Sequence, residues 1–321
     1  MSEFITMGEP LVIFASTQLD ASLTDATNFN KSMGGAELNV AIGISRLEHS
    51  TQYISQVGDE PLGEYVEQTI RQQQVGTDYL IKNHQYGTGH QFKQKVSHGD
   101  PKIAYYRKNS AASQLTADVI DHVTLEGVRI GHLSGIFAAV SQTTRSAEVR
   151  LMQRLTKQGA LVTFDPNLRP QLWASEKEMV TTLNQLASYA DIVLPGIGEG
   201  KILTGFDDPE KIADFYLANP QTKAVIVKVG PKGSYVKAKN ETGFFVAGFH
   251  VAQVVDTVGA GDGFALGVIS ALLEDKSLKE AALRGNAIGA LQVQTPGDND
   301  GYPTRQQLAD FYQQNQAVGA Q

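Results

Sequence analysis

The plainest structural signal in this chain is the segment Val254-Val255-Asp256-Thr257-Val258-Gly259-Ala260-Gly261-Asp262-Gly263-Phe264-Ala265. An apolar run ends in Asp-Thr, and a turn of small residues then leads into a helical pattern that starts near Phe264. The first NH groups of such a helix have no intrahelical partner and carry the positive end of the helix dipole. Because Gly259 and Gly261 have no side chain, a phosphate could approach these groups closely. The segment therefore predicts an anion-binding turn.

Asp262 stands beside this turn, where a carboxylate and a bound anion would repel each other. The position makes chemical sense if the carboxylate takes a proton from the hydroxyl group that accepts a phosphoryl group. We therefore predict phosphoryl transfer, with Asp262 as the base.

The composition is that of a globular α/β protein and argues against several other classes. The chain has 321 residues, of which 41% are hydrophobic and 19% charged, and its net charge is −7. Nucleic-acid and anionic-membrane binders need a basic surface, so we expect neither partner. The absence of cysteine excludes disulfides, thiolate metal sites and thiol nucleophiles. With no signal-peptide pattern and no apolar run of about 20 residues, a cytoplasmic protein is expected.

Strand and helix patterns alternate along most of the chain, which predicts a mostly parallel sheet with helices on both sides. The alternation is interrupted between Tyr79 and Arg107, where the pattern is that of an antiparallel hairpin inserted among βα units. Such an insertion would form a small β lid. Tyr105 and Arg107 lie on one face of its last strand, so both could point towards a ligand.

Polar residues follow several strands at the edge where open α/β sheets bind ligands. Asp165 and Arg169 come after a buried strand, and an arginine there suits a carboxylate or a phosphate. Gly34 and Gly35 allow close backbone approach to a ligand, and Asn39 on the following helix can both donate and accept hydrogen bonds. These segments are candidates for a sugar-binding or acid-binding pocket.

Three charged residues each have a structural and a functional interpretation. Glu9 is either a solvated turn residue or a carboxylate at the ligand edge of the sheet. Glu199 is either a helix cap or a contact to metal-bound water. Lys228, near the end of an apolar strand, is either an edge lysine or a phosphate contact.

Four motifs occur in order along nearly the whole chain. They are Gly34-Gly35-x3-Asn39, Asp165-x-Asn167-x-Arg169, Lys228-x-Gly230-x2-Gly233 and Asp256-Thr257-x-Gly259-Ala260-Gly261-Asp262. This set resembles the ribokinase-like (PfkB-type) carbohydrate kinases, and the last motif is highly specific. The resemblance implies a three-layer α/β sandwich formed by one domain, 1–321, with a mostly parallel central sheet. It also implies a β lid built mainly from segments near 10–32 and 80–108, and ATP and Mg²⁺ as co-substrates.

Further segments resemble one group within that family, the 2-keto-3-deoxygluconate kinases. They are Gly34 to Ala41, Gly99-Asp100-Pro101, Tyr105 to Ser113, Leu168 to Trp173 and Gly297 to Thr304. The resemblance implies ATP-dependent phosphorylation of the terminal hydroxyl of 2-keto-3-deoxygluconate to the 6-phosphate. A kinase for fructose or for another sugar or deoxy sugar acid remains an alternative, and so does a catalytically silent nucleotide or sugar-acid sensor.

The resemblance also implies roles for individual residues. Asp262 would be the catalytic base, and the NH groups of Gly259, Ala260 and Gly261 would stabilise the transferring phosphoryl group. The substrate-binding residues that it implies are Gly34, Gly35, Asn39, Tyr105, Arg107, Asp165, Arg169 and Asp262. Those implied for the nucleotide are Lys228, Gly230, Gly233, Gly259, Gly261 and Asn286. Glu199 would order Mg²⁺ through water, and Asp256 would hold a monovalent cation such as K⁺.

One position departs from the family pattern. The family usually has Asn-x-x-Glu, whereas this chain has Gly196-Ile197-Gly198-Glu199. The missing Asn motivates the sensor alternative, but the base and the anion-binding turn are present, so an active enzyme is expected. Because the exposed edges of β-sheets are commonly protected, we also expect a homodimer formed through the lids.

Overall fold

The structure, a computed structural model, describes residues 2–316 and contains a central nine-stranded sheet. The strands are, in spatial order, β13 (Phe244–Ala247), β12 (Gly233–Ala238), β11 (Ala224–Lys228), β10 (Ile192–Val193), β9 (Leu161–Asp165), β8 (Ile130–Ser134), β1 (Phe4–Met7), β4 (Thr51–Gly58) and β5 (Gly76–Asn83). The strands from β11 to β5 run parallel, and β12 and β13 continue the sheet as antiparallel strands.

Helices cover both faces of this sheet. They are α1 (Ala36–Arg46), α2 (Pro61–Gln72), α3 (Ala117–Asp121), α4 (Gly135–Val140), α5 (Gln142–Gln158), α6 (Glu176–Ala187), α7 (Ile197–Thr204), α8 (Pro209–Leu217), α9 (Ala260–Leu273), α10 (Leu278–Gln292) and α11 (Arg305–Gln316). Side chains of β11 alternate between two cores: Ala224 and Ile226 pack in one, and Val225 and Val227 pack in the other. Burial on both faces gives the continuous apolar runs of the parallel strands. Within residues 2–316, no helix is long and apolar enough to cross a membrane.

A separate four-stranded sheet has the order β3 (Phe29–Gly34), β2 (Leu11–Leu19), β6 (His90–Lys95) and β7 (Ile103–Tyr106). Strands β6 and β7 are antiparallel, as the hairpin pattern predicted. The predicted insertion began too early, because Tyr79 and the residues up to Asn83 belong to β5 of the central sheet. After α2 the chain pairs with β4 and so forms the last strand of the central sheet before the small sheet continues.

Close packing of α9 on α10 fixes the position of the anion-binding turn. A Cβ on Gly267 would lie only 2.7 Å from the Cα of Gly285, so neither helix tolerates a larger residue at this crossing. Helix α9 begins about one turn earlier than the pattern predicted, which places Asp262 in its first turn. Gly259 caps the helix in the left-handed region, with φ +76, and a Cβ there would overlap the carbonyl oxygen of Asp298.

Candidate active site

A cavity of about 480 Å³ lies between the small sheet and the carboxyl ends of the central strands. Its walls include residues of β2, β6 and β7 on one side and of β9, β11 and α9 on the other. All eight predicted substrate-binding residues line it: Gly34, Gly35, Asn39, Tyr105, Arg107, Asp165, Arg169 and Asp262. We call it the acceptor cavity.

A second cavity, of about 710 Å³, lies on the other side of the turn and is here called the donor cavity. The predicted nucleotide residues that line it are Lys228, Gly230, Gly233, Gly261 and Asn286. Gly259 lines the acceptor cavity instead, and Ala260 lines the donor cavity. Because Lys228, Thr257 and Gly261 line both, the two cavities meet at the anion-binding turn.

Asp262 is held by a chain of side-chain amides. The Nδ2 of Asn39 donates to Oδ2 of Asp262 at 2.9 Å, and the Nδ2 of Asn299 donates to Oδ1 of Asn39 at 3.0 Å. The side chain of Asp262 is half-buried, and loss of hydration raises its pKa to about 7. The hydrogen bond from Asn39 and the positive charge of Arg169 lower the pKa, whereas the negative charge of Asp165 raises it further. A carboxylate tuned in this way can accept a proton near neutral pH.

Lys228, the last residue of β11, forms an ion pair with Asp165, the last residue of β9, across the intervening strand β10. The Nζ of Lys228 lies 2.7 Å from Oδ2 of Asp165 and 3.9 Å from Oε2 of Glu199. Burial alone would lower the pKa of Lys228, but these carboxylates outweigh it and raise the pKa, so the ammonium group stays charged. Strand β11 lies inside the sheet, which rules out the interpretation of Lys228 as an edge lysine.

Glu199 caps helix α7. Its Oε2 accepts from the backbone NH of Gly196 at 2.7 Å, and its Oε1 accepts from the NH of Leu168 at 3.0 Å. A Cβ on residue 196 would stand 3.1 Å from Oε2, so the glycine leaves room for the cap. The structural interpretation of Glu199 is therefore correct, and its side chain also lines the acceptor cavity.

The two arginines of the acceptor cavity differ in their surroundings. Arg107 is buried and pairs through both Nε and its terminal nitrogen with Glu9, which also accepts a hydrogen bond from Ser110. Glu9 is only 3% exposed, so the interpretation as a solvated turn residue is wrong. Arg169 is half-buried and donates to the carbonyl of Leu168 at 2.8 Å, and no carboxylate within residues 2–316 pairs with it.

Two further predicted ligand contacts have structural partners. The Nδ2 of Asn286 donates to the carbonyls of Val246 and Ala247 at 3.1 Å each, which fastens β13 to α10 at the wall of the donor cavity. The Oδ1 of Asp256 accepts from the NH of Val258 at 3.1 Å and so shapes the loop before the anion-binding turn.

Two charged residues of the acceptor cavity escaped the sequence reasoning. The carboxylate of Asp298 occupies the space where a Cβ on Gly34 would lie. Lys93 projects from β6 into the same cavity, and its Nζ lies 3.9 Å from Oδ2 of Asp256. Asp298 lies in the segment Gly297 to Thr304, whose resemblance to the 2-keto-3-deoxygluconate kinases could have indicated it. For Lys93 the available signal was alternation along β6, which places it on the same face as Gln91.

The geometry defines a class of enzyme. A half-buried carboxylate with raised proton affinity stands beside a helix N-terminus, and this turn separates a polar cavity from a larger one. Such an arrangement suits a phosphotransferase that receives an acceptor hydroxyl on one side and an anionic donor on the other.

Comparison with known proteins gives the family. The model for the pfkB family carbohydrate kinases matches residues 6–305. The 2-dehydro-3-deoxygluconokinase of Bacillus subtilis (strain 168) is 42% identical, covering 98% of this chain and 96% of that protein. Probable fructokinase-7 of Arabidopsis thaliana is 31% identical, covering 96% and 91%. A putative Ribokinase II from E. coli, in complex with ATP and Mg²⁺, matches with a TM-score of 0.89 and 26% identity over 98% of this chain and all of that one (100%).

The chain belongs to the pfkB family and is a carbohydrate kinase. Its fold is the ribokinase-like α/β fold, so the fold class and the family predicted from the motifs are confirmed.

Proposed function

We propose that this kinase transfers the γ-phosphoryl group of ATP to the terminal hydroxyl of 2-keto-3-deoxygluconate, giving the 6-phosphate. The same sugar acid, as 2-dehydro-3-deoxygluconate, is in the name of the Bacillus subtilis relative. The E. coli relative, with ATP and Mg²⁺ in its structure, supports ATP as the donor.

The observation that carries the choice of a sugar acid is the guanidinium group of Arg169. It lines the acceptor cavity and has no carboxylate partner within residues 2–316. A carboxylate on the substrate would supply that partner through charge-assisted hydrogen bonds. Arg107 would contribute a remaining NH group but little net charge, because Glu9 already neutralises it.

Proton transfer to Asp262 accompanies the chemical step. The acceptor oxygen forms a bond to the γ-phosphorus, its proton moves to the Asp262 carboxylate, and the bond from phosphorus to the leaving ADP oxygen breaks. NH groups of Gly259 and Gly261 would stabilise the charge on the transferring group. The NH of Ala260, which donates to the carbonyl of Thr257 at 3.3 Å, would have to exchange that bond for one to the phosphate. Asn39 holds the carboxylate in position, and closure of the small sheet would exclude water.

The donor cavity would hold the nucleotide, with Lys228 at the junction to contact its phosphates. Gly230, Gly233 and Asn286 would lie along the base and ribose. Within residues 2–316, no group of three acidic or histidine side chains could hold a metal ion. This fits Mg²⁺, which usually binds through phosphates, waters and one or two carboxylates. Glu199 would contact its waters, and the ion would neutralise phosphate charge.

Other expectations remain predictions. They are a cytoplasmic location, a homodimer through the lids, the single domain, and the absence of nucleic-acid and membrane partners. Fructose remains the alternative acceptor because fructokinases are also relatives at 31% identity. A monovalent cation held by Asp256 also remains a prediction, although the nearby carbonyls of Val258 and Gly297 already accept hydrogen bonds from Gln292.

A coupled assay of ADP formation, with the keto acid and with fructose, tests the proposal. The best variant is Arg169→Ala, since Arg107→Ala would leave Glu9 buried and unpaired. We expect the ratio of kcat/KM for the keto acid to kcat/KM for fructose to fall by roughly 10- to 100-fold, the value of a charge-assisted hydrogen bond. Loss of Arg169 also raises the pKa of Asp262, but that effect is common to both substrates and cancels in the ratio. Arg71→Ala, an exposed arginine on α2, is the control. A preference of the wild type for fructose would contradict the choice of substrate, and binding without ADP formation would point to the sensor.

A further inference from the structure

The side chain of Gln292, the last residue of α10, is wholly buried behind the anion-binding turn. Its Nε2 donates to the carbonyl of Val258 at 3.0 Å and to the carbonyl of Gly297 at 2.7 Å. Its Oε1 accepts from the NH of Gly301 at 3.0 Å. Because the NH of Gly301 requires an acceptor and the two carbonyls require donors, this network fixes which end of the amide is which.

The amide joins the turn to the loop that follows α10. A Cβ on Gly259 would lie 3.3 Å from Nε2 of Gln292, so the NH₂ group stands directly behind the residue that caps α9. Through Val258 it holds the approach to the turn, and through Gly297 and Gly301 it holds the loop that carries Asp298.

A monovalent cation near Asp256 would need several oxygens that converge on one point. Two carbonyls, those of Val258 and Gly297, do converge, but the point of convergence is the nitrogen of the Gln292 amide. One oxygen of the Asp256 carboxylate accepts from the NH of Val258, and the other faces the Lys93 ammonium group at 3.9 Å. Hydrogen-bond donors therefore already serve these oxygens, and the residues do not fit a bound cation.

We propose that Gln292 is a positioning residue whose buried amide takes the place of a monovalent cation behind the anion-binding turn. Its two NH groups bring partial positive charge to the carbonyls that an ion would otherwise bridge. They also hold the NH groups of the turn in the geometry that receives the transferring phosphoryl group. The kinase therefore needs no monovalent cation, whichever sugar it phosphorylates.

The first experiment measures wild-type kcat and melting temperature in tetramethylammonium salts and in potassium salts of equal ionic strength. We expect both quantities to be the same in the two salts, since an ion without a site has no differential affinity for the folded or active state. Activation of the wild type by K⁺, or a K⁺-specific rise in its melting temperature, would overturn the proposal.

The second experiment uses Gln292→Glu, which keeps the shape but turns the donor group into an acceptor. The new carboxylate repels the carbonyls of Val258 and Gly297 until a cation bridges them, so kcat should fall by about tenfold or more without K⁺ and recover with it. KM for the sugar should change less than kcat, because the glutamate keeps the acceptor for the NH of Gly301 in the loop that carries Asp298. Gln294→Ala, a nearby exposed glutamine, is the matched control. Wild-type kcat in Gln292→Glu without K⁺ would also overturn the proposal.

Discussion

Asp262→Asn is the substitution that most directly tests the chemistry. The amide preserves the size of the side chain and a polar contact with Asn39, but it cannot accept the proton of the acceptor hydroxyl. We expect kcat to fall by about 10²- to 10⁴-fold, the usual contribution of a general base. That loss corresponds to roughly 3 to 5 kcal/mol of transition-state stabilisation.

The pH dependence of the wild type follows from the same group. With the pKa of Asp262 raised to about 7, only the ionised fraction can act as base. The kcat/KM of the wild type should rise with pH, from roughly a tenth of its plateau at pH 6 to about half at pH 7. In Asp262→Asn, the residual activity should lose this limb of the profile.

Stability should change in the opposite direction to activity. The folded pKa of Asp262 is raised from 3.8 to about 7, so the native state binds more protons than the unfolded state in that window. The contribution of Asp262 to the free energy of unfolding is therefore fully present only at low pH, where the carboxyl is protonated in both states, and is lost as the pH rises through 7. Removing the carboxylate should stabilise the protein at pH 8, by at most about 4 kcal/mol.

The assay combines a pH series of coupled kinase rates with urea unfolding at pH 8. Asp298→Asn is the matched control, since it removes another carboxylate of the acceptor cavity, whose pKa burial raises to about 6. That variant should also be stabilised, and its KM should rise, but its kcat should stay within about tenfold of the wild type. Near-normal kcat in Asp262→Asn with unchanged substrate binding would refute its assignment as base.

Four further substitutions have defined outcomes. Gly34→Ala displaces the Asp298 carboxylate and adds a methyl group to the wall of the acceptor cavity, so steady-state kinetics should show KM for the sugar raised by roughly tenfold with kcat retained; an unchanged KM would contradict the placement of the sugar against Gly34. Gly233→Ala, at φ +103 and against a carbonyl of β13, should lose about 2 kcal/mol or more in urea unfolding, whereas Gly198→Ala, with open space around it, should gain up to about 1. Glu148→Gln should gain stability over the wild type as the pH rises above the usual pKa of a glutamate, because burial raises the pKa of this carboxyl well above its usual range; a pH-independent difference in urea unfolding would contradict this.

Local sequence signals were enough to predict the glycine turn that leads into α9 and the position of Asp262 beside it; the role of Asp262 as base stays a prediction. The glycine that caps α9 must adopt φ +76 and must tolerate a carbonyl against its Cα, and only glycine meets both demands. Constraints of this kind act within a few residues, so they can be detected in a short stretch of sequence. The alternating strands and helices predicted the layers for the same reason, since burial on both faces requires continuous apolar runs.

The partners of the site residues could not be read in this way. Glu9 and Arg107 are 98 positions apart, and Asn39 and Asp262 are 223 apart. Their pairing depends on how the small sheet and α1 dock on the central sheet, which no local periodicity encodes. For this reason no local pattern could distinguish Arg107, which Glu9 neutralises, from Arg169, which has no carboxylate within salt-bridge distance among residues 2–316.

The same repulsion that makes a carboxylate unusual beside a phosphate site also explains how it can act there. The pKa of Asp262 is raised to about 7, mainly by loss of hydration. An arriving γ-phosphoryl group adds negative charge nearby and raises the proton affinity of the carboxylate further. In the proposed mechanism the hydroxyl proton would be transferred at that moment, and the turn NH groups and Lys228 would keep the phosphate bound against the repulsion. If Asp262 is the base, as we propose, it would become a stronger base when the donor is in place, which would favour proton transfer in the ternary complex over the complex with sugar alone.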